Sequence, residues 1–342
     1  MIGNMKAFFV KYWKSILSPI AFVLIFFILF SYIQDIFELK GACYGKYKYY
    51  NKEEKNSLDV IYFGNSRTNR GINPLVVDEI AGCYSYNLGI QGLRANHVYY
   101  RLIDALKTQK PKLVVLETSM YMPSKEKNEE SYVQRTLLSL PFSFFKVKAA
   151  MEMGTDDQMK AELIMPLLRF HGRFREIDSV DFLYIMNLNP DIPYDLQISE
   201  EIMAESRGYM PYQNDAVLKD DGKGYFDKDY ASITEMTVPD KDADYYFQEM
   251  IRICEENGAK VLIISIPSME KNETAKETVP IMNYLKQVYK DDPNVDYLDI
   301  CTSMKEIGLD YDNFHNKGHL NRSGAQKISE FIGTYLKNNY DF

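Results

Sequence analysis

The sequence predicts an α/β fold, with three layers (α/β/α) around a mostly parallel sheet of about five strands. Three observations carry this. Short uninterrupted apolar runs alternate with amphipathic helical segments. Glycine and small polar residues follow directly where several of those runs stop. Between residues 124 and 242 the alternation lapses and resumes afterwards, as it would around an insertion.

Taken in order, Leu58–Phe63 reads as the first buried strand and Tyr84–Leu88 as the second. Val98, Leu102, Ala105 and Leu106 then fall at helical spacing, and Pro111 closes that helix. Leu113–Leu116 is the third strand. After the insertion, a helix carries Tyr246, Met250 and Ile253 on one stripe with Phe247, Ile251 and Cys254 beside it, and Gly258 is placed to end it. Val261–Ile266 is the fourth strand. Pro280 stands where a helix can begin, with Ile281, Leu285 and Val288 as its buried face. Val295–Ile300 is the fifth strand, and a last helix carries Ala325, Ile328, Phe331, Ile332 and Tyr335.

Ahead of the sheet, Ile16–Ile33 reads ILSPIAFVLIFFILFSYI and holds no charge. A helix of about 18 residues rises about 27 Å, close to the hydrocarbon thickness of a bilayer. Lys6, Lys11 and Lys14 precede it, and Asp35 and Glu38 follow. The alternative is a cleaved signal peptide, but the run is long for one and no clear A-x-A site follows, so a single-pass anchor at the cell membrane is expected. The positive-inside bias puts the N-terminus in the cytoplasm and the main domain outside. The expected organisation is a cytoplasmic stub and transmembrane anchor over 1–40 and a tether over 41–57. The two halves of the α/β domain occupy 58–123 and 243–342, around a largely helical insertion over 124–242.

The net charge of −8 and the lack of a basic block exclude a general nucleic-acid role. Cys43, Cys83, Cys254 and Cys301 form no CxxC pair, which argues against a zinc ribbon or a dithiol redox site.

In an open parallel sheet, ligands bind beyond the carboxyl ends of the strands. Gly64-Asn65-Ser66 ends strand one, Asn87-Leu88-Gly89 with Gln91 ends strand two, and Glu117 ends strand three. "DYDNFHNKGHLNRSGA" precedes the last helix. A serine hydroxyl needs a base to take its proton, and imidazole suits that near neutral pH. Ser66 is the candidate nucleophile, and the backbone N–H groups of Ser66 and Gly89 are candidate oxyanion donors. Arg67 and Arg70, with Asn87 and Gln91, are candidate substrate contacts. Glu117 is a candidate second acid. His315 and His319 are four apart, but Gly318 lies between them and no third ligand is evident, so neither a metal nor any other cofactor is expected.

At these residues the chain resembles the SGNH/GDSL hydrolase superfamily. "FGNSRTNRG" is similar to the family's first block, with Asn65 in place of its Asp. "NLGIQG" is similar to the second, and "HLNRSGAQKISEFI" to the last. The plan is nearest to the membrane-anchored extracytoplasmic branch that includes teichoic-acid D-alanyl transfer and exopolysaccharide O-acetylation proteins. The resemblance covers residues 58–121 and 255–335. It implies an SGNH/flavodoxin-like sheet and a serine acyltransferase or esterase acting on O-acyl groups of a cell-surface glycopolymer. It also implies a membrane-bound O-acyltransferase as the partner supplying the acyl group.

Two departures bear on the chemistry. The family's third block has no counterpart in "LVVLETSMY". Its last block is D-x-x-H, and two assignments fit here. Either His319 is the base, oriented by Asp312 or Asn316, or Asp312 and His315 form the pair. The same departures suit a second reading, in which the fold is a catalytically degenerate scaffold or polymer-binding partner of an acylation or export machine.

Overall fold

The computed structural model describes residues 17–31, 33, 46–47, 49–121, 130–137, 140, 142–172, 205–212 and 216–342. The chain divides into two compact units, one of Met1–Leu39 with Pro141–Pro193 and one of Lys40–Leu140 with Tyr194–Phe342. In the first unit, residues 17–31 are helical and expose their apolar side chains, Phe22 most of all. No helix among the described residues is long and apolar enough to cross a membrane, and Ile16 and Tyr32 of the expected span lie outside the described residues.

The second unit is built on five parallel strands. β1 (Val60–Phe63) is followed by helices α1 (Ser66–Gly71) and α2 (Pro74–Ala81). β2 (Ser85–Asn87), α3 (Ala95–Ala105) and β3 (Leu113–Glu117) complete the first half. Then come α4 (Glu130–Leu137) and, in the first unit, α5 (Phe144–Met153), α6 (Asp157–Ile164) and α7 (Pro166–Phe170). The second half returns with α8 (Lys241–Glu256), β4 (Lys260–Ser265), α9 (Val279–Val288), β5 (Val295–Asp299) and α10 (Met304–Ile307). A short hairpin, β6 (Phe314–Asn316) and β7 (His319–Leu320), leads into α11 (Arg322–Asn339).

The strand order is β2-β1-β3-β4-β5, a doubly wound arrangement with its switch point between β1 and β3. Alternation along each strand sends side chains to two cores. Ile61, Phe63, Val114, Leu116, Val261 and Ile263 pack against α3, α8 and α9. Val60, Tyr62, Leu113, Val115, Leu262 and Ile264 pack on the other face, with Val77 of α2 and Ile328, Ile332 and Leu336 of α11. Both faces are covered, which is why the strands read as continuous apolar runs. Each such side chain stabilises the fold by about 1.5–3 kcal/mol.

Three details depart from the sequence reading. Val288 ends α9 exposed rather than on its buried face. Lys46, Tyr47 and Tyr50, within the expected tether, are buried in the domain. The tract around His315 and His319, for which the sequence predicts no strand, contains the β6–β7 hairpin. Cys83, Cys254 and Cys301 are free thiols; Cys43 lies outside the described residues.

The hairpin is held against α11 by close approach. A Cβ on Gly324, in the first turn of α11, would stand 2.1 Å from the carbonyl oxygen of Asn313. Asn321 caps the helix by accepting the Gly324 N–H at 3.1 Å, and its own amide donates to the Asp312 carbonyl at 2.7 Å. Gly324→Ala should therefore push the hairpin off the helix. The expected loss is about 1–3 kcal/mol by denaturant unfolding.

Candidate active site

The carboxyl end of β1 runs through Gly64 into α1, and Ser66 is the first residue of that helix. Asn65 is the N-cap and its side chain accepts the Arg67 N–H at 3.0 Å. As a first-turn residue, Ser66 has no intrahelical acceptor for its N–H, and its side chain stands at the rim of the sheet. The hairpin brings His319 to the same place from near the other end of the domain. His319 Nε2 lies 2.8 Å from Ser66 Oγ, and His319 Nδ1 lies 3.1 Å from Asn316 Oδ1. Asn316 and His319 are paired across β6 and β7. Asn316 Oδ1 also accepts the N–H of Gly318 at 2.9 Å.

Of the two orienting residues proposed for His319, the structure brings Asn316 to the ring. The Asp312 side chain is exposed, and Asp312 contributes its backbone carbonyl to Asn321 and Ser323. The alternative Asp312–His315 pair is not formed. His315 Nδ1 is buried without a hydrogen-bond partner, and its ring stacks on Tyr212 with centroids 3.6 Å apart and planes 6° apart.

The predicted substrate contacts serve largely as struts. Arg67 is buried, makes an ion pair with Glu273, and donates to the Ile266 carbonyl at 3.4 Å. Arg70 donates to the carbonyls of Met210 and Pro211 at 2.7 and 2.9 Å, with its guanidinium over the ring of Tyr212. Asn87 donates its amide to the carbonyls of Thr68 and Ile72, both at 2.8 Å. These bonds hold α1 against its neighbours, so the side chains are committed before any substrate arrives. Gln91 is half-buried on the loop after β2.

Gly89 also departs from its expected role. Its N–H is given to Asn87 Oδ1 at 2.9 Å. Its lack of a side chain serves packing instead, since a Cβ there would lie 2.7 Å from Thr68 Cβ and 2.8 Å from Asn69 N. Of the two expected oxyanion donors, the Ser66 N–H is the uncommitted one. Glu117 is fully buried and accepts from both the N–H and the hydroxyl of Ser119. Burial pushes its carboxyl up from the ordinary value, against the opposing pull of Arg67.

Sequence reasoning missed Tyr212 and Glu273. Tyr212 arrives on the segment 205–212. That segment is tied to β2 and α1 by Asn87 N–H to the Arg207 carbonyl at 2.9 Å and Met210 N–H to the Asn69 carbonyl at 3.0 Å. An ion pair between Arg207 and Asp78 adds to this. No periodicity marks the segment; Gly208, in the left-handed region at φ 86°, is its one local signal. Tyr212 and His319 are in T-shaped contact, with centroids 6.0 Å apart and planes at 68°. Glu273 lies in the segment after β4, where Lys271 and Asn272 both take positive φ and a π-helical turn follows at Thr274–Thr278. Irregular backbone of this kind recurs at functional sites.

No protein-family model matches the chain, and no curated protein matches it. Among the described residues, no group of three or more His, Cys, Asp or Glu side chains is arranged to hold a metal ion.

The environment of His319 favours neutral imidazole. Burial lowers its pKa from 6.5 to about 4, and the charges of Arg67 and Arg70, with His315, push the same way while Glu273 opposes them. Below pH 6.5 the unfolded chain binds a proton that the folded site refuses until about pH 4. The stability linked to His319 is therefore complete above pH 6.5 and is lost as the pH falls through that window. Urea unfolding of wild type and His319→Gln at a series of pH values should show the difference. Wild type should weaken relative to the variant between pH 6.5 and about 4, and a parallel course would contradict a depressed pKa.

Proposed function

We propose that this chain is a membrane-anchored, extracytoplasmic serine acyltransferase or esterase of SGNH type. It handles O-acyl groups of a cell-surface glycopolymer through an acyl-serine intermediate. The observation that carries the reading is the line Ser66 Oγ, His319 Nε2, His319 Nδ1, Asn316 Oδ1, with contacts of 2.8 and 3.1 Å. The position at the β1–β3 switch point of a doubly wound sheet supports it.

The chemistry follows from the line. His319 Nε2 takes the proton of Ser66 as Oγ attacks the acyl carbonyl carbon. The resulting oxyanion faces the Ser66 N–H. Collapse breaks the bond to the leaving alcohol, which receives the proton from His319, and the acyl group stays on Ser66. A polymer hydroxyl, or water, then gives its proton to His319 and takes the acyl group; the acyl–Oγ bond breaks and His319 returns the proton to Ser66 Oγ. The apolar stretch 16–33 would keep the domain at the membrane surface, where a membrane-bound O-acyltransferase would deliver the donor.

A catalytically degenerate scaffold is the second reading. It is favoured by the uncharged Asn316 behind the histidine and by the Gly89 N–H being spent on Asn87. Labelling of the full chain with a fluorophosphonate separates the two. Wild type should label on Ser66, and Ser66→Ala and His319→Ala should lose the signal. The labelling rate should rise through about pH 4 and stay level across neutral pH, because His319 is already neutral there. A folded wild type that does not label, or a Ser66→Ala variant that labels equally, would leave the scaffold reading standing.

A further inference from the structure

An asparagine behind a catalytic histidine carries a specific hazard. A carboxylate can only accept, so it always selects the ring with its proton on Nδ1. A carboxamide has a donor end as well. If its NH₂ end faces the ring, Nδ1 becomes the acceptor and the proton moves to Nε2, which can then no longer accept from serine. In a serine protease triad, exchange of the aspartate for asparagine costs about 10⁴ in rate through this wrong tautomer.

Here the amide is not free to choose. The Gly318 N–H lies 2.9 Å from the same Asn316 atom that faces His319 Nδ1. A backbone N–H only donates, so that atom must be the oxygen. Flipping the amide would set its NH₂ against the Gly318 N–H and leave two donors facing each other. With oxygen in place, His319 Nδ1 must carry the proton, and Nε2 presents its lone pair to Ser66 Oγ at 2.8 Å.

We infer that Gly318 is a positioning residue: its backbone N–H locks the Asn316 carboxamide oxygen-first and thereby selects the His319 tautomer able to act as base. This rests on the serine-acylation reading for its purpose, though not for its geometry. The turn is itself braced, because the Lys317 carbonyl accepts the Met269 N–H and the Ser268 hydroxyl. The lock supplies orientation without a negative charge.

The test is ¹⁵N-histidine NMR of the full chain near neutral pH. Four histidines keep the spectrum simple, and His319→Gln assigns the signal. The expected state is protonated Nδ1 and bare Nε2, both in wild type and in Asn316→Asp. Glycolic acid introduced at position 318 replaces the amide by an ester, which removes the N–H and weakens the Lys317 carbonyl as an acceptor, the second effect being common to both backgrounds below. With Asn316 present, this should admit the Nε2-protonated form and lower fluorophosphonate labelling by about tenfold or more. In the Asn316→Asp background the same ester should leave tautomer and labelling rate unchanged, because a carboxylate has no donor end. Protonated Nε2 or an averaged signal in wild type would overturn the inference, as would equal losses in both backgrounds. If Ser66 never labels, the proposed function fails while the NMR still decides the tautomer.

Discussion

The contact between Ser66 Oγ and His319 Nε2 joins two residues 253 positions apart, and most of the fold around it serves to hold that single distance. A short α1 places the serine, and a hairpin of two very short strands places the histidine. Neither element is stable by itself. A six-residue helix is far below the length at which helices persist in water, and an isolated hairpin is marginal at best. Both are therefore fixed from outside. The hairpin leans on α11 through the gap at Gly324. The helix is gripped by Asn87 at its Thr68 carbonyl, with Asn87 also taking the Ile72 carbonyl beyond its end, by Lys46 at the Asn69 side chain, and by the segment that ends in Tyr212.

That bracing explains why the polar residues around the serine do structural duty. Arg67 and Asn87 satisfy buried carbonyls and Arg70 two half-buried ones; leaving a buried group unpaired would cost about 1–3 kcal/mol. Arg67 has the densest surroundings, with Glu273 in direct contact and the buried Glu117 within its field. Removing Glu273 would leave the buried Arg67 guanidinium without its direct ionic partner, which costs more than never having formed the pair. The two arginines still act on the chemistry through their charge, because both help to keep His319 neutral.

The sheet was legible in the sequence because its strands are buried on both faces and each stops at a residue suited to a turn. Ser66 and His319 were legible for a related reason: one follows the glycine that ends β1, and the other precedes the glycine that lets α11 approach the hairpin. The orienting residue could not be settled that way. Counting along the chain makes Asp312 and His315 a D-x-x-H match, whereas the register of β6 and β7 sets Asn316 opposite His319. Strands of three and two residues carry no alternation from which that register could be read. Arg67 and Arg70 read as candidate substrate contacts because charge is visible in a sequence and the carbonyls that absorb it are not. Tyr212 follows a stretch without periodicity and reaches the site through long-range bonds that no local pattern announces, among them backbone bonds to β2 and α1 and the Arg207–Asp78 ion pair.

The asparagine separates two things that an aspartate supplies together. Orientation is a matter of hydrogen-bond direction, and a carboxamide held oxygen-first provides it in full. Charge is a matter of the imidazolium that would form if Ser66 gave up its proton as proposed, and a neutral amide does little for it. The remaining acid that favours the imidazolium is Glu273, but its charge is already matched by Arg67, while burial and both arginines work against it. Orientation decides whether proton transfer has a path at all. Charge decides how strong the base is, and a base with its pKa drawn down to about 4 abstracts a proton less readily than one poised near neutrality. The site thus combines correct alignment with weak basicity. Were Ser66 acylated as proposed above, such a combination would favour attack on an acyl carbonyl that is already activated over attack on a stable ester.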